Sequence, residues 1–400
     1  MRKSNVICIG GIKIIIGLNC LDELNKEILL KSCQKPMVVT DKGIARAGLL
    51  EQALSSIQNT ELDYVMFDEV LSDPSDAIVR RGTTVFLQNQ CDSIIAIGGG
   101  SVIDCAKAIN LMSTNEGSIL DYATGKVFKN EGHPLFSIPT TSGTGSEVTQ
   151  YAVITDEKES KKYGIGDSKL TSKVVFLSPL MTIGLPPKIT AATGIDALTH
   201  GIEAYTTNRV LNAVGSTIIS DTLAIKGIEM ISQNLVKAYI NGENIEARKN
   251  VMVGCTLTGL VTQAGSGSAH GIASALGSTY HVPHGNSVGV VLPYVMKHSL
   301  AACPERYRDI AIAMGRNVDG LNLMDSAYEA VQAVCELLSL LEFPTLKTYI
   351  PSSSDLEDFA QEAMKDHCCD LNAKVFSLEE MKSILNEAWN KESYCLDKID

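Results

Sequence analysis

Over about the first 187 residues, short apolar runs alternate with segments in which apolar positions recur at helical spacing. The clearest run, 93–97, is almost entirely apolar, which is typical of a strand buried on both faces. A helical segment, 102–112, follows it after a cluster of glycines. The other predicted strands are 13–16, 37–40, 64–67, 136–138, 151–155 and 174–177. This alternation predicts a parallel sheet with helices on both of its faces.

The pattern changes after Leu185-Pro186-Pro187, and helical periodicity then dominates to the end of the chain. The one further strand that the apolar pattern suggests is 288–292. We therefore predict an α/β domain over residues 1–187 and an all-helical domain over residues 188–400.

Composition narrows the class of protein. Apolar residues make up 45% of the 400 residues, the formal net charge is −12, and no run of Lys or Arg exceeds two. These features argue against nucleic acid and anionic membranes as partners. Eleven cysteines occur without a C-x-x-C pair, and no apolar stretch reaches 18 residues. We therefore expect a cytoplasmic protein without a membrane span.

Two loops rich in small residues follow predicted strands. The first contains Gly98, Gly99, Gly100 and Ser101 and leads directly into a helix, so backbone N–H groups and a helix N-terminus can face a pyrophosphate. The second offers the hydroxyl groups of Thr140, Thr141 and Ser142. Because both loops should lie at the carboxyl edge of one sheet, they predict a nucleotide site. The glycine loop alone is also compatible with a simple tight turn.

Two charged residues bear on the choice of nucleotide. Asp41 ends a predicted strand, where an acidic side chain commonly binds the ribose 2′-hydroxyl and repels a 2′-phosphate. This position favours NAD over NADP, although an N-cap for the next helix explains it equally well. Lys162 is a candidate cofactor contact, and a solvated lysine is the simpler interpretation.

A possible metal site lies in the second half of the chain. Asp196 and His200 are four residues apart in a predicted helix, so both side chains can reach one ion. His270 follows a Gly/Ser loop, and His284 follows Pro283 in a predicted turn. One oxygen and three nitrogen ligands suit Fe²⁺ or Zn²⁺ without choosing between them. The alternative is that these histidines are ordinary buried or helix-end residues.

Together, these motifs resemble the iron-containing, group III alcohol dehydrogenases. The resemblance rests on GGGSVIDCAKA at 98–108, IPTTSGTGSEVT at 138–149, AVITDE at 152–157, TGIDALTHGIEAY at 193–205, His270 and the Pro283-His284-Gly285 turn. It implies a Rossmann-like domain followed by an all-helical metal-binding domain, the dehydroquinate synthase-like architecture. It also implies NAD- and metal-dependent oxidation of a small alcohol, or reduction of an aldehyde, by a homo-oligomer, with a dimer favoured. By resemblance, Asp196, His200, His270 and His284 are the metal ligands, Fe²⁺ being favoured and Zn²⁺ being the alternative.

The chain departs from the family pattern near the third ligand. The family commonly has a histidine four residues after it, and Ser274 stands there in this sequence. We expect Ser274 to pass a proton to water and the nearby His281 to compensate. The alternative functions are a glycerol dehydrogenase-like or dehydroquinate synthase-like enzyme, or a nucleotide-binding relative without catalysis.

Overall fold

A computed structural model of the protein describes residues 5–58, 60, 62–159, 161–207 and 217–394. The chain divides into two compact units, Met1–Leu185 and Pro186–Asp400. The boundary predicted after residue 187 falls at the start of the helix Pro187–Thr206. Among the helices that the structure describes, none has the length and hydropathy of a membrane span.

The first unit is built on a sheet of seven strands with the order β1-β2-β9-β6-β5-β3-β4. Strand β1 pairs with β2 in antiparallel fashion, and the remaining pairs are parallel. Strands β7 and β8 form a separate antiparallel hairpin. The strands are β1 Asn5–Ile9, β2 Ile12–Ile16, β3 Pro36–Val39, β4 Val65–Phe67, β5 Ser93–Gly98, β6 Leu135–Pro139, β7 Tyr151–Asp156, β8 Lys161–Gly166 and β9 Val174–Leu177.

Helices of the first unit cover both faces of this sheet, as β5 illustrates. Ile94 and Ala96 belong to one apolar cluster, and Ile95 and Ile97 belong to the other. Because successive side chains of a strand point to opposite faces, both faces are buried. The helices of this unit are α1 Leu24–Leu30, α2 Lys42–Arg46, α3 Leu49–Gln58, α4 Asp76–Gln88, α5 Gly100–Met112 and α6 Ile119–Ala123.

The strand order reverses direction between β3 and β5. The chain passes from β3 outward to β4, then returns to place β5 on the other side of β3 and continues to β6. Ligands of open α/β sheets bind at such a switch point, outside the carboxyl ends of the strands. Asp41 follows β3 and the glycine loop follows β5, so both flank this point.

The second unit is helical throughout its described part. Its helices are α7 Pro187–Thr206, α8 Ile218–Ile240, α9 Ile245–Gly259, α10 Ser268–Tyr280, α11 His284–Gly289, α12 Leu292–Ser299, α13 Pro304–Ala313, α14 Leu323–Leu340, α15 Leu356–Ala363, α16 Cys368–Leu371 and α17 Leu378–Asn390. The strand predicted at 288–292 is wrong, because this segment joins the end of α11 to the start of α12. Val290 and Val291 are fully buried there, and a short buried segment is apolar whether it is helical or extended.

Candidate active site

The glycine loop forms the junction between β5 and α5. Gly98 ends the strand, Gly99 is the N-cap of the helix and Gly100 is its first residue. Because Gly99 has no side chain to cap the helix, the amides of the first turn remain suited to an anion. The helix is 13 residues long, so its N-terminus carries the partial positive charge that favours a phosphate.

The second loop packs directly onto the first. The Thr140 amide donates to the Gly98 carbonyl at 3.0 Å. A Cβ placed on Gly100 would lie 2.7 Å from the side chain of Thr144, so a glycine is needed there for close approach. Thr140 and Ser142 are buried, whereas Thr141 is partly exposed. The structure thus brings together the residues predicted to bind the nucleotide at these two loops.

A fully buried lysine fastens the second loop to α5. Lys107 Nζ donates to Ser146 Oγ at 3.2 Å and to the carbonyls of Thr149 and Tyr151 at 3.0 and 2.7 Å. Its ammonium lies 3.9 Å from Asp104 Oδ1. Burial lowers the pKa of Lys107 to about 8, although Asp104 opposes this shift. This network did not follow from the sequence, where Lys107 is one of several lysines on helices.

Asp41 and Lys162 both have local roles in the structure. Asp41 is the N-cap of α2, and its Oδ1 accepts from the amides of Gly43 and Ile44 at 2.7 and 3.0 Å. Lys162 lies on β8 and forms an ion pair with Asp73 at 2.6 Å. The N-cap role is the alternative anticipated for Asp41, whereas Lys162 is ion-paired and not simply solvated. The cofactor roles of both residues remain predictions.

Helix α7 places three chemically important side chains on one face. Asp196, His200 and Glu203 have the spacing i, i+4 and i+7, which aligns them along a helix. His270 is in the first turn of α10, and His284 is the first residue of α11. The adjacent Gly285 allows α11 to approach α7, since a Cβ there would collide with the carbonyl oxygen of Ala192.

Three of the four predicted metal ligands cluster, and the fourth lies beside them. The ligand atoms of Asp196, His270 and His284 lie within 4.8 Å of one another. Asp196 Oδ1 is 3.7 Å from His270 Nε2 and 3.5 Å from His284 Nε2. Two ligands with metal bonds of about 2.1 Å lie about 3 to 3.5 Å apart, so these separations are close to those of a shared ion. His200 lies beside the set, with its ring centroid 4.6 Å from that of His270.

Three buried polar atoms in this cluster lack a hydrogen-bond partner among the described residues: Asp196 Oδ1, His200 Nδ1 and His270 Nε2. Buried polar atoms are normally paired, so three unpaired atoms on neighbouring side chains call for an explanation. A divalent cation coordinated by the carboxylate and imidazole groups would satisfy this donor set. The residues therefore fit the metal that the resemblance implies.

Burial and charge shift the titration of the cluster. Burial alone raises the pKa of a carboxyl, but the imidazoles of His200, His284 and His270 outweigh it and hold the pKa of Asp196 below its usual range. Burial lowers the pKa of His200 to about 4. Burial also opposes a charge on His270, yet Glu203 and Asp196 raise the pKa of His270 to about 10. The carboxylates of Asp196 and Glu203 thus favour a positive charge beside His270, whether that charge is a proton or a metal ion.

Glu203 orients His270 and is a functional residue that the sequence interpretation missed. Its Oε2 accepts from His270 Nδ1 at 2.5 Å, and its Oε1 accepts from the Ala269 amide at 2.9 Å. This arrangement directs Nε2 of His270 toward Asp196, as carboxylates commonly do for metal-binding histidines. Gly267 leaves room for the Glu203 carboxylate, since a Cβ at position 267 would lie 2.8 Å from Glu203 Oε1. The sequence signal that could have identified Glu203 was its i+7 spacing from Asp196.

The two predicted proton carriers are exposed. Ser274 lies on α10 one turn after His270. His281 caps the C-terminus of the same helix in the left-handed conformation, with φ 54°. The chemical role of each remains a prediction.

Comparison with known proteins decides the family. The family model described as iron-containing alcohol dehydrogenase matches residues 12–179. That of the Fe-containing alcohol dehydrogenase family, C-terminal, matches residues 190–389. The chain belongs to the iron-containing alcohol dehydrogenase family.

Members of the family with known names are similar over nearly the whole chain. The 1,3-propanediol dehydrogenase of Citrobacter freundii is 35% identical over 377 residues, which cover 93% of this chain and 96% of that protein. The NAD-dependent methanol dehydrogenase of Bacillus methanolicus is 34% identical, with coverage of 94% and 97%. A crystal structure of a 1,3-propanediol oxidoreductase has a TM-score of 0.90 and 33% identity, and covers 97% of this chain and 100% of that one.

Family membership makes this iron-containing alcohol dehydrogenase an oxidoreductase that acts on alcohols. The resemblance, the enzyme class and the fold class predicted from the sequence are thereby confirmed.

Proposed function

We propose that the protein is an NAD-dependent and divalent-metal-dependent alcohol dehydrogenase, acting reversibly on a small alcohol or aldehyde. One observation carries the metal dependence: Asp196 Oδ1 and His270 Nε2 are buried, 3.7 Å apart and without hydrogen-bond partners among the described residues. Relatives named for 1,3-propanediol and methanol support a small alcohol as substrate.

In this proposal, Asp196, His200, His270 and His284 hold Fe²⁺, which the family favours, with Zn²⁺ as the alternative. When bound, the cation supplies Lewis acidity toward an alcohol oxygen, and the nicotinamide supplies a hydride acceptor. Glu203 keeps His270 in the tautomer and orientation that ligation requires.

The remaining residues bind the cofactor and move the proton. The amides of Gly99, Gly100 and Ser101 and the hydroxyls of the Thr140–Ser142 loop bind the pyrophosphate. Asp41 lies at the switch point and favours NAD by repelling a 2′-phosphate. Ser274 passes the proton released by the alcohol to solvent water, directly or through His281.

The test is NAD⁺ reduction by the purified protein with a panel of small alcohols and diols. Metal is first stripped, and Fe²⁺ or Zn²⁺ is then restored under anaerobic conditions. We expect NADH to form only after metal is restored, and His284→Ala to lose both metal and activity. A dehydroquinate synthase-like enzyme would show no net turnover of NAD, and a non-catalytic relative would bind NAD and metal without forming NADH.

We also propose that the protein forms a homodimer through the edge of its sheet. Strand β1 is one of the two edge strands, and Val6 and Ile7 are 56% and 47% exposed on it. Exposed apolar edge strands tend to pair with another chain. Light scattering of the native protein should give twice the chain mass, and Val6→Lys should shift it toward the monomer. A monomeric native protein would refute this assignment.

A further inference from the structure

A second group of potential metal ligands lies in the turn between α15 and α16. Asp366, His367 and Cys368 follow one another in the chain, and their ligand atoms lie within 4.8 Å of one another. His367 Nδ1 is 3.5 Å from Asp366 Oδ1. This separation exceeds that of a normal N–H···O hydrogen bond, but it is close to the distance of about 3.4 Å between two ligands of one tetrahedral ion.

The turn is held in place from both ends. Asp366 Oδ1 accepts from the Cys368 amide at 2.9 Å, and its carbonyl accepts from the Cys369 amide at 3.1 Å. Cys369 is buried against α10, since a Cβ on Gly271 would lie 2.5 Å from its Sγ. His367 is 84% exposed and Cys368 is partly exposed, so solvent and ions can reach the group. The hydrogen bonds fix Asp366 and the backbone of the turn before a metal binds, which reduces the loss of conformational entropy on binding.

The donor set selects the ion. One carboxylate oxygen, one imidazole nitrogen and one sulfur exclude a preference for Mg²⁺ or Ca²⁺, which take oxygen ligands. A borderline-soft ion that prefers tetrahedral coordination accepts all three kinds of ligand atom. We propose that Asp366, His367 and Cys368 form a Zn²⁺ site separate from the Asp196 cluster, with a water molecule as fourth ligand. Binding releases the thiol proton of Cys368 to solvent and forms the Zn–S bond.

Cobalt substitution tests this site without relying on enzyme activity. The reduced, full-length protein is stripped of metal and titrated anaerobically with Co²⁺. A thiolate ligand gives an intense sulfur-to-cobalt charge-transfer band in the near ultraviolet, which carboxylate and imidazole ligands do not give. We expect this band to saturate at one Co²⁺ per chain for this site, and added Zn²⁺ to abolish it.

Variants locate the ligands. Cys368→Ser should remove the band, and His367→Ala should weaken Co²⁺ binding by about tenfold or more. If Cys368→Ser folds poorly, the largely exposed His367 still provides the test. Two controls should retain the band: Cys8→Ser, which removes an exposed thiol elsewhere, and His284→Ala, which alters the Asp196 cluster.

Three results would overturn the proposal. They are no charge-transfer band in the native protein, a band that survives both Cys368→Ser and His367→Ala, or a band that disappears in Cys8→Ser. Loss of NAD-dependent activity with an intact band would count against the proposed dehydrogenase function and leave the zinc site in place.

Discussion

Glu203→Gln isolates the contribution of one hydrogen bond to metal binding. The native carboxylate accepts two bonds, one from His270 Nδ1 at 2.5 Å and one from the Ala269 amide at 2.9 Å. Glutamine has nearly the same volume but only one acceptor oxygen. If that oxygen stays with Ala269, its NH₂ group faces His270 Nδ1 and favours the tautomer with the proton on Nε2. If the glutamine oxygen instead faces His270, the glutamine NH₂ group and the Ala269 amide are two donors that face each other. The first arrangement removes the Nε2 lone pair that ligation requires, and the second keeps that lone pair only at the cost of two facing donors.

The expected loss of metal affinity follows from the position of Glu203, which supports the ligand His270 from behind. Glu203 is 4% exposed, so water does not readily replace the lost bond. Changing a residue that orients a metal ligand typically weakens metal binding by about 10- to 100-fold. This corresponds to about 1.4 to 2.7 kcal/mol of binding free energy. Because all four proposed ligands remain, binding should be weakened and not abolished.

The assay is competition between the protein and a chelator, with bound metal measured at equilibrium. Glu387→Gln is the matched control, because Glu387 also bonds a histidine, His298, at 3.0 Å, but in a different part of the helical unit. The control should bind metal as tightly as the native protein. Circular dichroism of each variant should confirm that it is folded. A Glu203→Gln protein whose metal affinity lies within about twofold of the native value would refute this account of His270 orientation.

Three further predictions concern the first unit. Gly100→Ala should raise KM for NAD by about tenfold in steady-state assays while metal content stays unchanged, because its methyl group would lie 2.7 Å from Thr144. Asp41→Asn keeps an N-cap side chain but removes the charge, so the ratio of kcat/KM for NADP to that for NAD should rise by about tenfold; an unchanged ratio would exclude Asp41 from cofactor choice. Lys107→Met should lower the free energy of unfolding by about 3 to 5 kcal/mol in urea titrations, because it removes the hydrogen bonds of a fully buried ammonium and leaves the partly buried Asp104 without its cation.

The sequence predicted the layout of the fold because its strongest signals were local. The strand 93–97 is observed as Ser93–Gly98, and its apolar character reflects burial on both faces. Helices α2 and α3 are separate elements, since Gly48 adopts φ 72° between them. Strand β8 was missed because KKYGIG is rich in lysine and glycine, which strands disfavour. Its register with β7 comes from pairing in the hairpin, which a local pattern does not contain.

The sequence alone could not distinguish a metal ligand from the residue that orients that ligand. Asp196 and Glu203 lie on the same face of α7, and nothing in their spacing assigns either one to the metal. The assignment depends on α10, which brings the Ala269 amide and His270 Nδ1 to Glu203 and leaves His270 Nε2 directed at Asp196. This distinction can be measured. Removing a ligand, as in His284→Ala, should abolish metal retention, whereas removing a support, as in Glu203→Gln, should reduce metal affinity by a finite factor. Equal losses in the two variants would mean that Glu203 itself acts as a ligand.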